Sequence, residues 1–421
     1  MTRASASLLA LLALATAARA ENWPQWRGPT ANGISKETKL PVEWSEKRNL
    51  AWTLPMPGIG ASTPIVWGDR IFLTSAESPN LLELLCVSTE GKLVWKKKVS
   101  TGNARFMKDE ANMASASPTT DGKLVWCFFA SGELACFDFE GKEIWSFNVQ
   151  DRYGKFSIQH GIHTTPVLYE DKLFLTLLHA NAHLLIALDK ATGKEAWKVQ
   201  RKTDAQGESK EAYTTPCLWR EGDEMCLVIL GCDYATCHKV ADGTEIWRLT
   251  ELNPKKNYST AFRIISSPVV NDDLLVVPTA RGLQVMGLKA GGMGNVGPGS
   301  PSELWRKAKG APDVPSPLIH DGLVYLCGEQ GFLTCLEAKT GKELYKERLH
   351  VSRYRASPVY ADGNIYLTGR DGNFTVVRAG PRFELLATNS LPDEFTASPA
   401  ISNGRIYLRG FKTLYAVELI K

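Results

Sequence analysis

Thr164-Thr165-Pro166-Val167-Leu168, then Glu170-Asp171, Leu173-Phe174-Leu175-Thr176, Leu185-Ile186-Ala187-Leu188-Asp189, Ala191-Thr192-Gly193-Lys194 and Glu195-Ala196-Trp197, is the stretch that decides the fold. It reads as four short strands with turns between them. Proline is tolerated where the first strand opens, because that position need not donate to a ladder. Gly193 can take the left-handed conformation of the last turn. The opening phrase, Ser or Thr then Pro, an apolar pair and a turn, occurs eight times, at Pro64, Pro118, Pro166, Pro216, Pro268, Pro317, Pro358 and Pro399. The gaps are 54, 48, 50, 52, 49, 41 and 41 residues. Self-similarity at such a period is the signature of a radial propeller with one four-stranded blade per repeat. The expected fold is all-β: an eight-bladed β-propeller of four-stranded antiparallel blades, a single domain over residues 50–421 behind an extension at 21–49. A seven-bladed ring is the alternative if the shorter last units do not form separate blades.

The eighth unit, from Ala397-Ser398-Pro399 to Leu414-Tyr415-Ala416-Val417, lacks an outer strand. Leu50-Ala51-Trp52-Thr53-Leu54 has the missing pattern, and pairing it with the last blade closes the ring and removes both free edges. Outer strands carry Trp52, Trp95, Trp145, Trp197, Trp247 and Trp305, with Tyr345 and Leu386 as substitutes in units six and seven. Blades diverge outward, so these large side chains are expected to seal the seams between neighbours.

Residues 1–20 read as a signal peptide: Arg3, an apolar stretch from Ser7 to Ala18, and a small-residue site ending at Ala20. The stretch is too short to span a bilayer. The expected location is periplasmic or secreted, without a transmembrane segment. The formal charge of +4 includes Arg3 and Arg19, so the processed chain has no basic field for nucleic acid. Lys96-Lys97-Lys98 reads as an edge-protecting, solvated face. Nine cysteines cannot all pair. Cys86, Cys136, Cys237 and Cys335 fall at one small third-strand slot, and Cys127 with Cys136 and Cys217 with Cys226 are candidate cross-strand pairs.

Function is expected where loops gather around the central channel, at Ser100 to Ala114, Gln150 to Ile162, Arg201 to Ala212 and Leu249 to Ile265. Reading back from each proline gives candidate rim residues Asn112, His160, His163, Glu211, Tyr213, Arg263, Arg353 and Arg355, with Asp313 and Glu394 beside them. Mixed charge with imidazole and phenol groups suits an anionic small molecule or an extended peptide. Such polar groups also serve converging loops that must satisfy their backbone. Glu211 with Arg263 reads as a rim ion pair. His160 and His163 lack a third ligand, so no metal site is expected. Gly291 to Gly299 lacks the Lys-Ser/Thr of a phosphate loop and reads as a flexible insertion. No catalytic constellation is found, and no catalytic residue is assigned.

Ala187-Leu188-Asp189-Lys190-Ala191-Thr192-Gly193-Lys194-Glu195-Ala196-Trp197, and again Leu336-Glu337-Ala338-Lys339-Thr340-Gly341-Lys342-Glu343-Leu344-Tyr345, resembles the repeat of pyrroloquinoline-quinone-like (PQQ-like) propellers. Trp23-Pro24-Gln25-Trp26-Arg27-Gly28-Pro29 is similar to the leader of exported bacterial members. The resemblance implies either of two occupations. One is a quinoprotein dehydrogenase with PQQ and calcium on the axis. The other is a BamB-like scaffold that holds partners with its rim loops. The chain departs from both, having neither adjacent cysteines nor a lipid-attachment cysteine after Ala20. The expectation is a non-enzymatic propeller, without cofactor, that presents its mouth to an envelope protein, a peptide or a small ligand. The alternative is a PQQ- and calcium-dependent dehydrogenase oxidising an alcohol or sugar.

Overall fold

The computed structural model describes residues 21–101, 112–271 and 273–420. The segment expected to be a signal peptide, with its expected cleavage site near Ala20, and most of the Ser100 to Ala114 loop lie outside the described residues. Eight sheets follow one another along the chain. The third is typical, with antiparallel strands Val167–Tyr169, Lys172–His179, Ala182–Asp189 and Glu195–Gln200 in that order from hub to rim. Closure comes from Leu50–Pro55, which pairs antiparallel with Thr413–Val417 and sets Trp52 opposite Ala416. The ring therefore has eight blades, and its first strand completes the last of them.

At the hub, the residue before each repeat proline ties its blade to the next. The amide of Thr63 donates to Ser117 Oγ (2.9 Å), Ser117 to Thr165 Oγ1 (3.3 Å) and Thr165 to Thr215 Oγ1 (3.0 Å). Thr215 then donates to Ser267 (2.9 Å), Ser267 to Ser316 (3.0 Å), Ser316 to Ser357 (2.9 Å) and Ser357 to Ser398 (3.0 Å). Each link satisfies a buried amide that no ladder reaches.

At the rim, an indole crosses five of the eight seams in one way. Trp52, Trp95, Trp145, Trp197 and Trp305 rest on Gly91, Gly141, Gly193, Gly243 and Gly341 in the last turn of the next blade. Their Nε1 groups donate to the carbonyls of Thr89, Phe139, Lys190, Val240 and Ala338, at 2.7 to 3.2 Å. Within its own blade each of these tryptophans lies opposite a small third-strand residue: Ala416, Cys86, Cys136, Ala187 and Gly287. That is why the slot takes cysteine, alanine or glycine. Tyr345 opposes Cys335 and packs on Phe383.

Two seams differ, each for a reason of connectivity. In blade seven, Ala387 rather than Leu386 opposes the third-strand Val376. Blade eight takes its outer strand from the other chain end, so it has no last turn to receive an aromatic. Trp44 of the extension fills the gap instead, 5.6 Å from Phe374 and 6.3 Å from Tyr366. At the fourth seam, Trp247 donates to the Glu221 carboxylate (2.9 Å), which also accepts from Trp219 and from the amides of Gly291 and Gly292. The glycine-rich stretch is thus not a loose insertion. Gly294–Val296 pairs parallel with Trp247–Leu249 and gives blade four a fifth strand.

All nine cysteines are free and buried. The two hairpin pairs suggested by sequence fail on register. Cys127 opposes Ala135 while Cys136 opposes Trp126, so those thiols lie on opposite faces. Cys217 opposes Val228 while Cys226 opposes Trp219, a diagonal of about 7–8 Å that exceeds disulfide reach.

A methyl group on Gly243 would sit 2.8 Å from the Trp197 ring and 2.5 Å from Val199, at a φ of +78°. Trp197→Ala and Gly243→Ala are each expected to lower unfolding stability, the former by about 3 kcal/mol. Because both break one contact, the double variant should cost less than the sum of the two. Urea denaturation midpoints of the four proteins test this, and full additivity would refute a shared seam.

Candidate functional site

The segments that lead into the inner strands surround an axial cavity of about 190 Å³, room for roughly six waters at about 30 Å³ each. Alternation along the extended segment just before each inner strand sorts its wall into levels. The lower level is the hub hydroxyls themselves: Thr63, Thr165 and Thr215, with Ser117, Ser267, Ser316, Ser357 and Ser398. Two residues earlier on each segment lies a second level that breaks the symmetry. It has His163 and Tyr213 on one side, Ile265 and Val314 next, then Arg355, and the small Thr396, Ala61 and Ser115. His163 and Arg355 belong to strands four blades apart, so they face each other across the axis.

Trp26 lines the same cavity at the opposite end from the loops. It also lines a smaller void below, together with Pro166, Pro216 and Pro268. The segment around it straps the underside of the ring. Trp23 exchanges two backbone hydrogen bonds with Val66, both 2.8 Å, and Thr120 donates to Pro24 O. The buried Arg27 donates to Pro317 O (2.7 Å) and Asn32 O (2.8 Å). Trp26 is therefore a fixed floor.

Of the candidate rim residues, Asn112, His160, His163, Tyr213, Arg263 and Arg355 come together on the cavity wall. Glu211 and Arg353 do not line it: Glu211 is engaged by Tyr213 and Gln159, and Arg353 by Glu329. Glu211 does not pair with Arg263. It accepts from Tyr213 Oη and the Gln159 amide (both 3.0 Å), while Arg263 reaches Glu208 at 3.2 Å. Arg353, Arg355 and Arg281 converge on Glu329, at 2.9, 3.3 and 3.1 Å. Asp313 lies 3.7 Å from Arg281, and Glu394 pairs with Arg370 at 3.2 Å. Among the described residues that line the cavity, none is a carboxylate. Sequence reasoning missed Trp26 and the hub hydroxyls as cavity lining. The second Trp of the leader, in a segment with no strand pattern, was the available signal.

Three matches, over residues 37–174, 130–294 and 289–380, tie the chain to the family described as outer membrane protein assembly factor BamB. The chain belongs to the BamB family. No curated protein matches it. Among solved structures it is similar to BamB from Moraxella catarrhalis, with TM-score 0.62, 12% identity, and 88% of this chain and 99% of that one covered. It is similar also to a quinohemoprotein alcohol dehydrogenase from Comamonas testosteroni, with TM-score 0.68, 13% identity and 95% and 81% covered. A quinohemoprotein alcohol dehydrogenase from Pseudomonas putida HK5 gives TM-score 0.67, 12% identity and 94% and 80% covered. Identities this low establish the shared propeller fold and nothing finer.

The charges around the cavity of this BamB-family ring are held in unequal states. Burial and the nearby Glu329 push the Asp313 carboxyl up. Glu329 is itself desolvated, but the Arg353 and Arg355 guanidiniums pull it below the usual range. Burial alone disfavours charge on Arg263, and the Glu208 carboxylate more than offsets it. Burial pushes His163, and likewise His179 and His238, down to about 4. These imidazoles take up protons in the unfolded chain before they do in the folded one. Stability is therefore complete above the ordinary imidazole value of 6.5 and declines as the pH falls from 6.5 toward 4. Denaturation midpoints across that window should show the decline, and His163→Gln should make it shallower.

Proposed function

We propose that this chain is an extracytoplasmic, non-enzymatic propeller that holds a small anionic ligand in its axial cavity. One observation carries the reading: among its described residues the wall offers two arginines and a ring of hydroxyls, and no carboxylate. The hub oxygens from Ser117 round to Ser398 each accept a backbone amide, which leaves the hydroxyl proton free to donate toward the axis. A donor-lined cavity attracts an acceptor-rich anion, and its two arginines, each held by a carboxylate outside the wall (Glu208 for Arg263, Glu329 for Arg355), turn cationic groups to the lining. Asn112, His160, His163, Tyr213, Arg263 and Arg355 are its assigned contacts, and Glu211 and Arg353 set the entrance. Export fits the amino-terminal apolar segment, and no helix of the described residues is long and apolar enough to cross a membrane.

A second reading, favoured by the higher TM-scores of the two quinohemoprotein dehydrogenases, is a quinone-dependent alcohol or sugar oxidoreductase. The residues present do not fit the calcium that such a cofactor carries by resemblance. No group of three or more His, Cys, Asp or Glu side chains among the described residues could hold a metal ion. Both arginines of the wall repel one.

Calorimetric titration with citrate, PQQ and calcium, with and without a dye-linked alcohol assay, separates the two. Citrate is expected to bind and raise the melting temperature, and Arg355→Gln to weaken it at least about tenfold, one charge-assisted contact. PQQ, itself an acid, should compete with citrate without needing calcium. Calcium-dependent PQQ binding with alcohol-dependent dye reduction would establish the dehydrogenase instead.

A further inference from the structure

We infer that the anion of the axial site is an acidic monosaccharide, a sugar acid that lies on Trp26 with its carboxylate toward Arg355. This rests on the proposed anion-binding role and narrows it. The hub level confronts any occupant with hydroxyls on every side, not with one polar spot. An occupant with a bare hydrocarbon edge would strip water from those hydroxyls and return no partner, at a cost for each. A polyoxygenated ring returns an oxygen to each side it faces. Its carbon–hydrogen face suits the indole of Trp26, an apolar surface at the floor of an otherwise polar chamber.

The second level fixes the orientation. Arg355 offers a planar fork matched to a carboxylate, and Arg263 stands one level above the ring on the loop side. Opposite Arg355, His163 stacks against Tyr213, with ring centroids 6.3 Å apart and planes 21° apart. Burial keeps His163 uncharged at neutral pH, so the cationic side of the chamber is Arg355's alone at this level. Ala61, Ser115 and Thr396 leave the remaining arc open for ring substituents. The room for about six waters matches one sugar unit rather than a chain.

The test titrates the full chain with glucuronate, glucose, acetate and benzoate. Glucuronate is expected to bind at least tenfold more tightly than each of the other three. Ala61→Leu, which fills the open arc, should weaken glucuronate tenfold and leave acetate unchanged. Trp26→Leu should do the same if the ring stays folded, and Ala61→Leu decides the matter if it does not. Glucuronate no better than acetate, with both bound, overturns the sugar reading and leaves the anion reading standing. Benzoate binding as tightly as glucuronate overturns it in favour of an aromatic acid. Failure of every acid, citrate included, overturns both.

Discussion

A backbone amide that donates to a hydroxyl on the neighbouring blade is the contact on which the ring depends. Eight strands converge at the hub, and each is the inner edge of its sheet. An edge strand exposes amides that find no ladder partner, and at the hub there is no bulk water to serve them all. The Ser/Thr-Pro phrase answers both halves of that problem. The hydroxyl residue gives its amide to the next blade and its oxygen to the previous one. The proline that follows has no amide to satisfy. From Thr63 to Ser398 the relay is unbroken through seven steps. A single pair of residue types therefore recurs at every blade, while the apolar residues behind it vary.

The rim solves the opposite problem, because the wedges open outward and leave space. An indole fills it, a glycine in the next blade lets it approach, and its N–H finds a carbonyl there. The rule changes at three seams: at the sixth, Tyr345 replaces the indole and packs on Phe383, and at two others the chain's connectivity alters the receiving side. The seventh seam faces a blade stitched from both chain ends, and Trp44 enters from the extension. The fourth faces the long connection after Leu288, and there Glu221 gathers two indoles and two amides. The seventh is sealed from outside the repeat, and the fourth by a repeat carboxylate that gathers amides of the glycine-rich connection. Closure of the ring is thus set by local geometry at each seam, not by a uniform motif.

What could be read from sequence divides along the same line. Blade number, the split last blade and the small third-strand slot were legible because they repeat, and a repeat states its own register. Leu386, Trp44 and the strand at Gly294–Val296 were not legible, since each depends on which segment arrives from elsewhere. The candidate rim was half legible. Counting back from the prolines found His163, Tyr213 and Arg355, because alternation carries them inward. It could not find Glu208 as the partner of Arg263, since a side chain's direction on a short 3-10 turn, Gly207–Lys210, has no periodicity. Trp26 lay in a leader whose place beneath the ring is set by hydrogen bonds to blades one, two and six.

Alternation along the segment leading into the inner strand separates two duties by two residues. The hub position is confined to Ser or Thr by the relay. The position before last is free, because its side chain points into the cavity and nothing in the ring requires it. Alanine, serine, histidine, tyrosine, isoleucine, valine, arginine and threonine occupy it in the eight blades. Recognition can therefore change completely while the fold does not. That is why relatives sharing 12 to 13% identity can include both an assembly factor and alcohol dehydrogenases. What sets this chain's cavity apart is those eight side chains and the tryptophan beneath them. In this chain the arginine at that level, paired with Glu329, stands on one side of the axis and the uncharged imidazole of His163 faces it.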